Sequence, residues 1–497
     1  MRKLLFIFGL FLPFAMQAQK ATNPKPYATT ITVDDLKKHL YIIASKEMEG
    51  RETATEGQRK AAAYIETQFR SLGLQPGNNG SYQMMYPIVQ DSLVSATLSI
   101  NGKPWQVNQD FAPGNINTNH TASLMASEVV YAGNGRVDST KNPYKDVNAL
   151  GRIVLVYAAS ANINTMMDAA QRNGAAALFI VQTNFPRRAV TRGNQSISEF
   201  RRTNYLNTFY VSEKVAEAIM GADWPAAKAG NAPSKAYSAN VGLAYNEITV
   251  RVESSNVIGY IEGTDKKDEY VFITAHYDHL GKRDTVIYYG ADDDGSGTVA
   301  VLELAEAFSK AKAANKGPRR TIVFMAVSGE EKGLWGSSYY ADNPIFPLDK
   351  TTVDLNIDMI GRIDPVRKLK DSVTRKDSMN YVYVVGDDKL STDLRTISEA
   401  TNNKYTKMVL DYKFNDPNDR ERIYFRSDHY NFARKGVPII FYFNGTHADY
   451  HRPTDTPDKI NYDLYAKRAQ FVFYTAWEMA NREEMLKRDL KLETPTR

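Results

Sequence analysis

The sequence contains no cysteine. Disulfides, thiolate metal clusters and a lipidated N-terminal cysteine are therefore excluded. Stability must rest on core packing, and any metal must be held by imidazole and carboxylate, which suits zinc or a harder cation. Long apolar runs are missing too. After residues 4–14 no stretch approaches the about 18 apolar residues that a membrane-spanning helix needs. Net charge is small for 497 residues: +5, and two fewer once Arg2 and Lys3 leave with a leader. No basic run is interleaved with aromatics, so nucleic acid is not an expected partner. Internal repeats and low-complexity tracts are absent. Histidine is scarce, at seven residues.

What is present begins with a secretion signal. Arg2 and Lys3 give a positive start, residues 4–14 a short apolar run, and Ala15 and Ala18 small residues near a cleavage point. Residues 1–18 are expected to be removed, leaving an exported protein, periplasmic or extracellular, with no stable membrane association. A membrane anchor is the alternative. Residues 19–30 are polar with two prolines and read as a leader.

Length suggests two to three domains. Leu36, Leu40 and Ile43 share a helical face, as do Ala61, Tyr64, Ile65, Phe69 and Leu72 of a second helix that Gly73 stops. From 121 to 245 the texture changes: runs such as SEVVYAG, RIVLVYAA and AALFIVQ flank one short helix, MMDAAQRNGA. This stretch is expected to be an inserted domain of mixed α and β structure, dividing residues 19–120 from 246–497. In the last part, near-continuous apolar runs (EYVFITA, TIVFMAV, TVDLNID, YVYVVG, VPIIFYF) alternate with helical patterns, one with Val301, Leu304, Ala305 and Phe308 on a single face. That succession predicts an α/β fold, a mostly parallel central sheet covered by helices on both faces. A long packing helix is expected from 462 to about 487.

Five of the seven histidines lie in three acidic clusters: AHYDHLG, RSDHYN and GTHADYH. His276 and Asp278 follow directly on an apolar strand, where ligands bind in open α/β sheets. The spacing lets the Asp278 carboxylate take the second ring N–H of His276. Asp292, Asp293 and Asp294 repel one another, and a divalent cation offsets that most simply; a solvated N-cap turn is the bland reading, and the spacing is not that of an EF-hand. Glu330 and Glu331 follow another strand. One can bind a metal while the other takes the proton of an attacking water. Asp358 and His451, at a strand end and in DYHRPTDT, are weak signals alone. Together, His276, Asp293, Glu331, Asp358 and His451 supply two imidazoles and three carboxylates, enough for two metals sharing one carboxylate.

These motifs, with LYIIASKEMEGRETATEGQRKAAAYIETQFRSLGLQP, SGEEKGLWGS and SDHYNFARKGVP, resemble metallopeptidase family twenty-eight, the co-catalytic di-zinc aminopeptidases and glutamate carboxypeptidases. The 121–245 insert resembles their protease-associated domain. The resemblance implies two Zn2+ per chain: His276 and Asp358 on one, Glu331 and His451 on the other, Asp293 bridging. It also implies a cis peptide after Asp293, Glu330 as general base, Asp278 orienting His276, and Tyr424 stabilising the oxyanion, although the neighbouring IYFR departs from the family pattern. Peptides or small proteins are the expected substrates. Aminopeptidase activity leads. Carboxypeptidase or dipeptidase activity would need a cation for the substrate carboxylate, with Arg362, Arg422 and Arg426 as candidates. Glutaminyl cyclisation and a metal-free, receptor-like binding protein are further alternatives.

Overall fold

Burial follows the expected helix faces. In the computed structural model, which describes residues 23–114, 119–157, 162–189, 192–197, 205–367 and 379–492, Thr32 caps the helix Val33–Ile43 by accepting from the Asp35 N–H. Leu36, Leu40 and Ile43 are buried there. Thr55 caps Glu56–Ser71 in the same way, with Ala61, Ile65 and Phe69 inward and Gly73 at φ +75° just beyond its end. The signal reading of residues 1–18 lies outside the described residues. Among the described residues no helix is long and apolar enough to cross a membrane.

The chain forms two compact units, one from residues up to Tyr86 and from Ser254 onward, the other from Pro87–Glu253. The first is built on a sheet whose four adjacent central strands, Arg320–Val327, Lys266–His276, Thr351–Ile357 and Ile439–Phe443, are mutually parallel. Their side chains alternate between two cores, as strand geometry demands. Ile322, Phe324 and Ala326 join the core holding the helices Gly297–Ala313 and Tyr462–Asn481, while Val323, Met325 and Val327 join the opposite one with Tyr340 and Phe432. Both faces are covered, which explains why these strands read as unbroken apolar runs. The C-terminal helix stops at Asn481 rather than near 487, because Arg482 turns extended (φ −67°, ψ 158°) and its carbonyl, with that of Met479, accepts from the buried Arg320.

In the second unit the strands Ala122–Tyr131, Ile153–Tyr157, Ala177–Val181 and Thr208–Val211 run parallel. The unit starts at Pro87, earlier than the expected 121, and ends at Glu253 rather than 245. Leu98, Ile100 and Phe111 cause the difference: they pack into the same core as Val129, Leu155 and Phe179.

Candidate metal centre

Parallel register brings the acidic clusters level. His276 pairs with Val327, Thr274 with Asn356, and Asn356 with Phe441, so all four strands end at one edge of the sheet. His276 is the last residue of its strand. Glu330 and Glu331 follow the second, Asp358 the third, and His451 lies in the loop after the fourth.

The three aspartates diverge. Asp294 Oδ1 accepts from the N–H groups of Gly297 and Met359, at 2.8 and 2.9 Å. Asp292 Oδ1 accepts from Gly361 N–H, and its Oδ2 lies 3.2 Å from His447 Nε2. Only Asp293 faces the centre. Its backbone N–H and that of Asp292 both donate to Asp455 Oδ2, and the Asp293–Asp294 peptide is cis. Local donors thus offset the repulsion expected for the outer two carboxylates, leaving the middle one for a cation.

Asp293 serves two groups at once. Its Oδ1 lies 3.3 Å from His276 Nε2, which is 3.7 Å from Asp358 Oδ1. Its Oδ2 lies 3.1 Å from His451 Nε2, which is 3.2 Å from Glu331 Oε2. Metal–donor bonds of about 2.0–2.2 Å at tetrahedral angles place donors about 3.3–3.6 Å apart. Both sets fit. His276 Nε2 and Asp293 Oδ2 are buried with no hydrogen-bond partner among the described residues, as expected of atoms aimed at a common ion.

Donor atoms also cluster as His276–Glu330–Asp358 and His279–Asp293–Glu331. His279 was not singled out in the sequence. Its Nδ1 is 2.7 Å from Glu331 Oε1, an ion-pair contact too close for two ligands of one ion. His279 therefore sits beside Glu331 as its neighbour, and His451 completes the second set. Its sequence signal was its place in AHYDHLG, where His276 drew the attention.

The protons report the same need for positive charge. Burial disfavours a charged His451, but Asp293 and Glu331 outweigh it and push its pKa up to about 10. His276, fully buried, is likewise raised well above the usual range by Glu330 and Asp358. Burial and Asp293 push the Glu331 carboxyl up; His279 and His451 reverse this and leave it low. Bound cations would take the place of those ring protons.

Asp278 does not act as expected. The partner of His276 Nδ1 is the Asp278 backbone carbonyl, at 3.1 Å, with the carboxylate 3.8 Å away. A carbonyl only accepts, so Nδ1 carries the proton and Nε2 faces the centre. The carboxylate instead accepts from Thr53 Oγ1 and from the Glu330 N–H, fixing the backbone of the glutamate pair.

Tyr424 is not brought to the cleft. Asp293, Glu330 and Asp358 share that cleft with Ile423, Arg426 and Tyr450. Ile423–Phe425 is a 3-10 turn, in which residues three apart share a face. Ile423 and Arg426 look into the cleft, while Tyr424 is rotated away to pack on His429 and Tyr430. His429 is structural: its Nε2–H donates to the Tyr424 carbonyl at 2.7 Å, and burial lowers its pKa to about 3. The tyrosine at the cleft is Tyr450, stacked on His451 at 3.9 Å.

Arg51 ties the surrounding loops together. It is fully buried and donates to the carbonyls of Ile43, Tyr277, Tyr289 and Gly290 at 2.7 to 2.9 Å. Burial lowers its pKa to about 10, against the pull of Asp278 and Asp293. Arg51→Met should destabilise the chain by at least about 3 kcal/mol, since a buried carbonyl left unsatisfied costs about 1–3 kcal/mol. Urea unfolding in the presence of chelator tests this apart from metal loss; an unchanged midpoint would refute it.

Residues 256–476 match the model of peptidase family M28. This part of the chain belongs to that family. The chain is 28% identical over 287 residues to a probable zinc metalloprotease of Pyricularia oryzae, covering 50% of this chain and 54% of that protein. It is 28% identical over 222 residues to a probable leucine aminopeptidase of Trichophyton verrucosum, covering 43% and 55%. The chain thus spans about half the length of these curated relatives. Among solved structures, an aminopeptidase from Aneurinibacillus sp. strain AM-1 shares the fold of this chain at a TM-score of 0.54, with 19% identity, covering 95% of this chain and 99% of that one.

Proposed function

We propose that the chain is an exported di-zinc exopeptidase, an aminopeptidase that removes N-terminal residues from peptides. The observation that carries this reading is the division of Asp293: each oxygen faces its own imidazole and carboxylate, His276 with Asp358 and His451 with Glu331. These five residues would hold the two ions. When bound, a zinc pair lowers the pKa of water toward about 7 and polarises the scissile carbonyl.

The chain's own residues do the rest. Glu330, at the cleft and outside both ligand sets, accepts the proton of the attacking water and delivers it to the leaving amine as the C–N bond breaks. The Asp278 carboxylate holds the Glu330 backbone, and His279 sits beside Glu331. The carboxylates lining the cleft suit a free substrate α-amine. Residues 87–253 would form an accessory domain of protease-associated type, holding none of these groups.

A panel of aminoacyl fluorogenic substrates and their N-blocked counterparts, with and without chelator, tests this. Free-amine substrates should be cleaved, blocked ones should not, and chelator should abolish turnover. Cleavage of blocked peptides alone, or indifference to chelator, would sink the aminopeptidase reading. Retention of all five ligands and Glu330 weighs against a receptor-like binding protein. The carboxypeptidase or dipeptidase alternative draws on Arg426.

A further inference from the structure

Three arginines could meet a substrate carboxylate, and their surroundings separate them. Arg362 is committed: its Nη2 lies 2.9 Å from Asp449 and its Nη1 3.8 Å from Asp455. Arg422 sits at a left-handed position (φ 53°) with its guanidinium 5.1 Å from the Phe425 ring centre. Arg426 lines the cleft that holds Asp293, Glu330 and Asp358. Among the described residues no carboxylate lies within 4.0 Å of it, and its one side-chain hydrogen bond runs from Nη2 to the Tyr450 hydroxyl at 3.2 Å.

That hydrogen bond matters because Tyr450 is itself held. Its ring stacks on His451 with 21° between planes. Arg426 is therefore steadied against the wall of the metal centre while most of its five N–H donors stay free. Such a planar fork matches a carboxylate, bidentately. The remaining walls are the apolar Met359, Ile423, Phe441 and Phe443 and the hydroxyl-bearing Thr446, so no further charged side chain lines the cleft. The cleft has two poles: carboxylates at the centre that suit an amine, and one cation set apart from them.

We propose that Arg426 is the anchor for a substrate carboxylate and makes the cleft selective for small, zwitterionic peptides. This rests on the peptidase reading above and deepens it. The carboxylate could be the free C-terminus of a dipeptide or an acidic side chain next to the scissile bond; the chemistry at Arg426 is the same.

The test compares kcat/KM of the zinc-loaded full chain within two substrate pairs. Leucyl-glycine against leucyl-glycinamide reads the C-terminal carboxylate; leucyl-glutamate amide against leucyl-glutamine amide reads the side chain. The carboxylate member of at least one pair should be preferred by about 10- to 100-fold, mainly through KM, the range expected of hydrogen bonds to a charged group. Arg426→Gln should erase that preference, Arg426→Lys should recover part of it, and Arg426→Glu should invert it. Zinc content and thermal midpoint identify any variant that has lost its fold, and the wild-type comparison stands without the variants. Equal rates within both pairs for the wild type overturn the assignment of Arg426 alone, as does a preference that survives Arg426→Gln. No cleavage of any of the four by the wild type overturns the peptidase reading itself.

Discussion

Asp293→Ala is expected to remove both metals and lower kcat/KM by at least about 10³-fold, because metal-assisted charge stabilisation contributes several kcal/mol. The effect is large because one carboxylate serves both ligand sets: Oδ1 faces His276 and Oδ2 faces His451. Loss of any other ligand breaks one set only. His451→Ala is the natural companion, and should leave a chain that keeps the ion at His276 and Asp358 and loses the other. Dialysis followed by metal analysis separates the outcomes: near zero metal per chain for Asp293→Ala, near one for His451→Ala. The turn itself should survive the change. Asp294 still accepts from the Gly297 N–H at the start of the helix Gly297–Ala313, and Asp292 is still held by Gly361. Asp293→Ala retaining one tightly bound metal would mean that the two sets do not share this residue.

Three candidate ligands, His276, Glu331 and Asp358, were legible because each is tied to a strand end, and strand ends can be read from apolar runs. His276 closes EYVFITAH and Asp358 follows TVDLNI, so parallel register alone brings them together. His451 is different. It lies in a loop at φ +56°, and its place could be inferred only by resemblance. What sequence could not reveal was side-chain direction in irregular backbone. Tyr424 and Arg426 are two residues apart, yet the 3-10 turn points only Arg426 into the cleft. Asp278 shows the same limit at shorter range: spacing permits its carboxylate to reach His276, but the backbone carbonyl arrives first. The Pro87 boundary was hidden because residues 87–113 carry no change of texture. Their membership of the second unit depends on which core Leu98 and Phe111 enter. Arg51 and His279 escaped notice for a related reason. Their roles are hydrogen bonds to carbonyls far away in sequence, or an ion-pair contact with a neighbour already read as a candidate ligand.

Glu330→Gln should keep both metals and lose about 10²- to 10⁴-fold in kcat, the usual contribution of general-base catalysis. The amide is nearly isosteric, and the backbone hydrogen bond from Glu330 to Asp278 is indifferent to the change. What disappears is the ability to accept a proton. Burial, reinforced by Glu331 and Asp358, raises the Glu330 carboxyl well above the usual range. Metal content decides between two roles for this residue. Glu330 Oε2 lies 3.9 Å from His276 Nε2, and Glu330 clusters with His276 and Asp358, so it could have been a ligand of the first ion. Asp293 Oδ1 is nearer to His276, at 3.3 Å, and completes that set without it. A base lost without a ligand lost gives a fully loaded protein that turns over slowly, with KM for the free-amine substrates little changed. If Glu330→Gln binds one metal fewer than the wild type, Glu330 belongs to the ligand set, and the proton of the attacking water must go elsewhere.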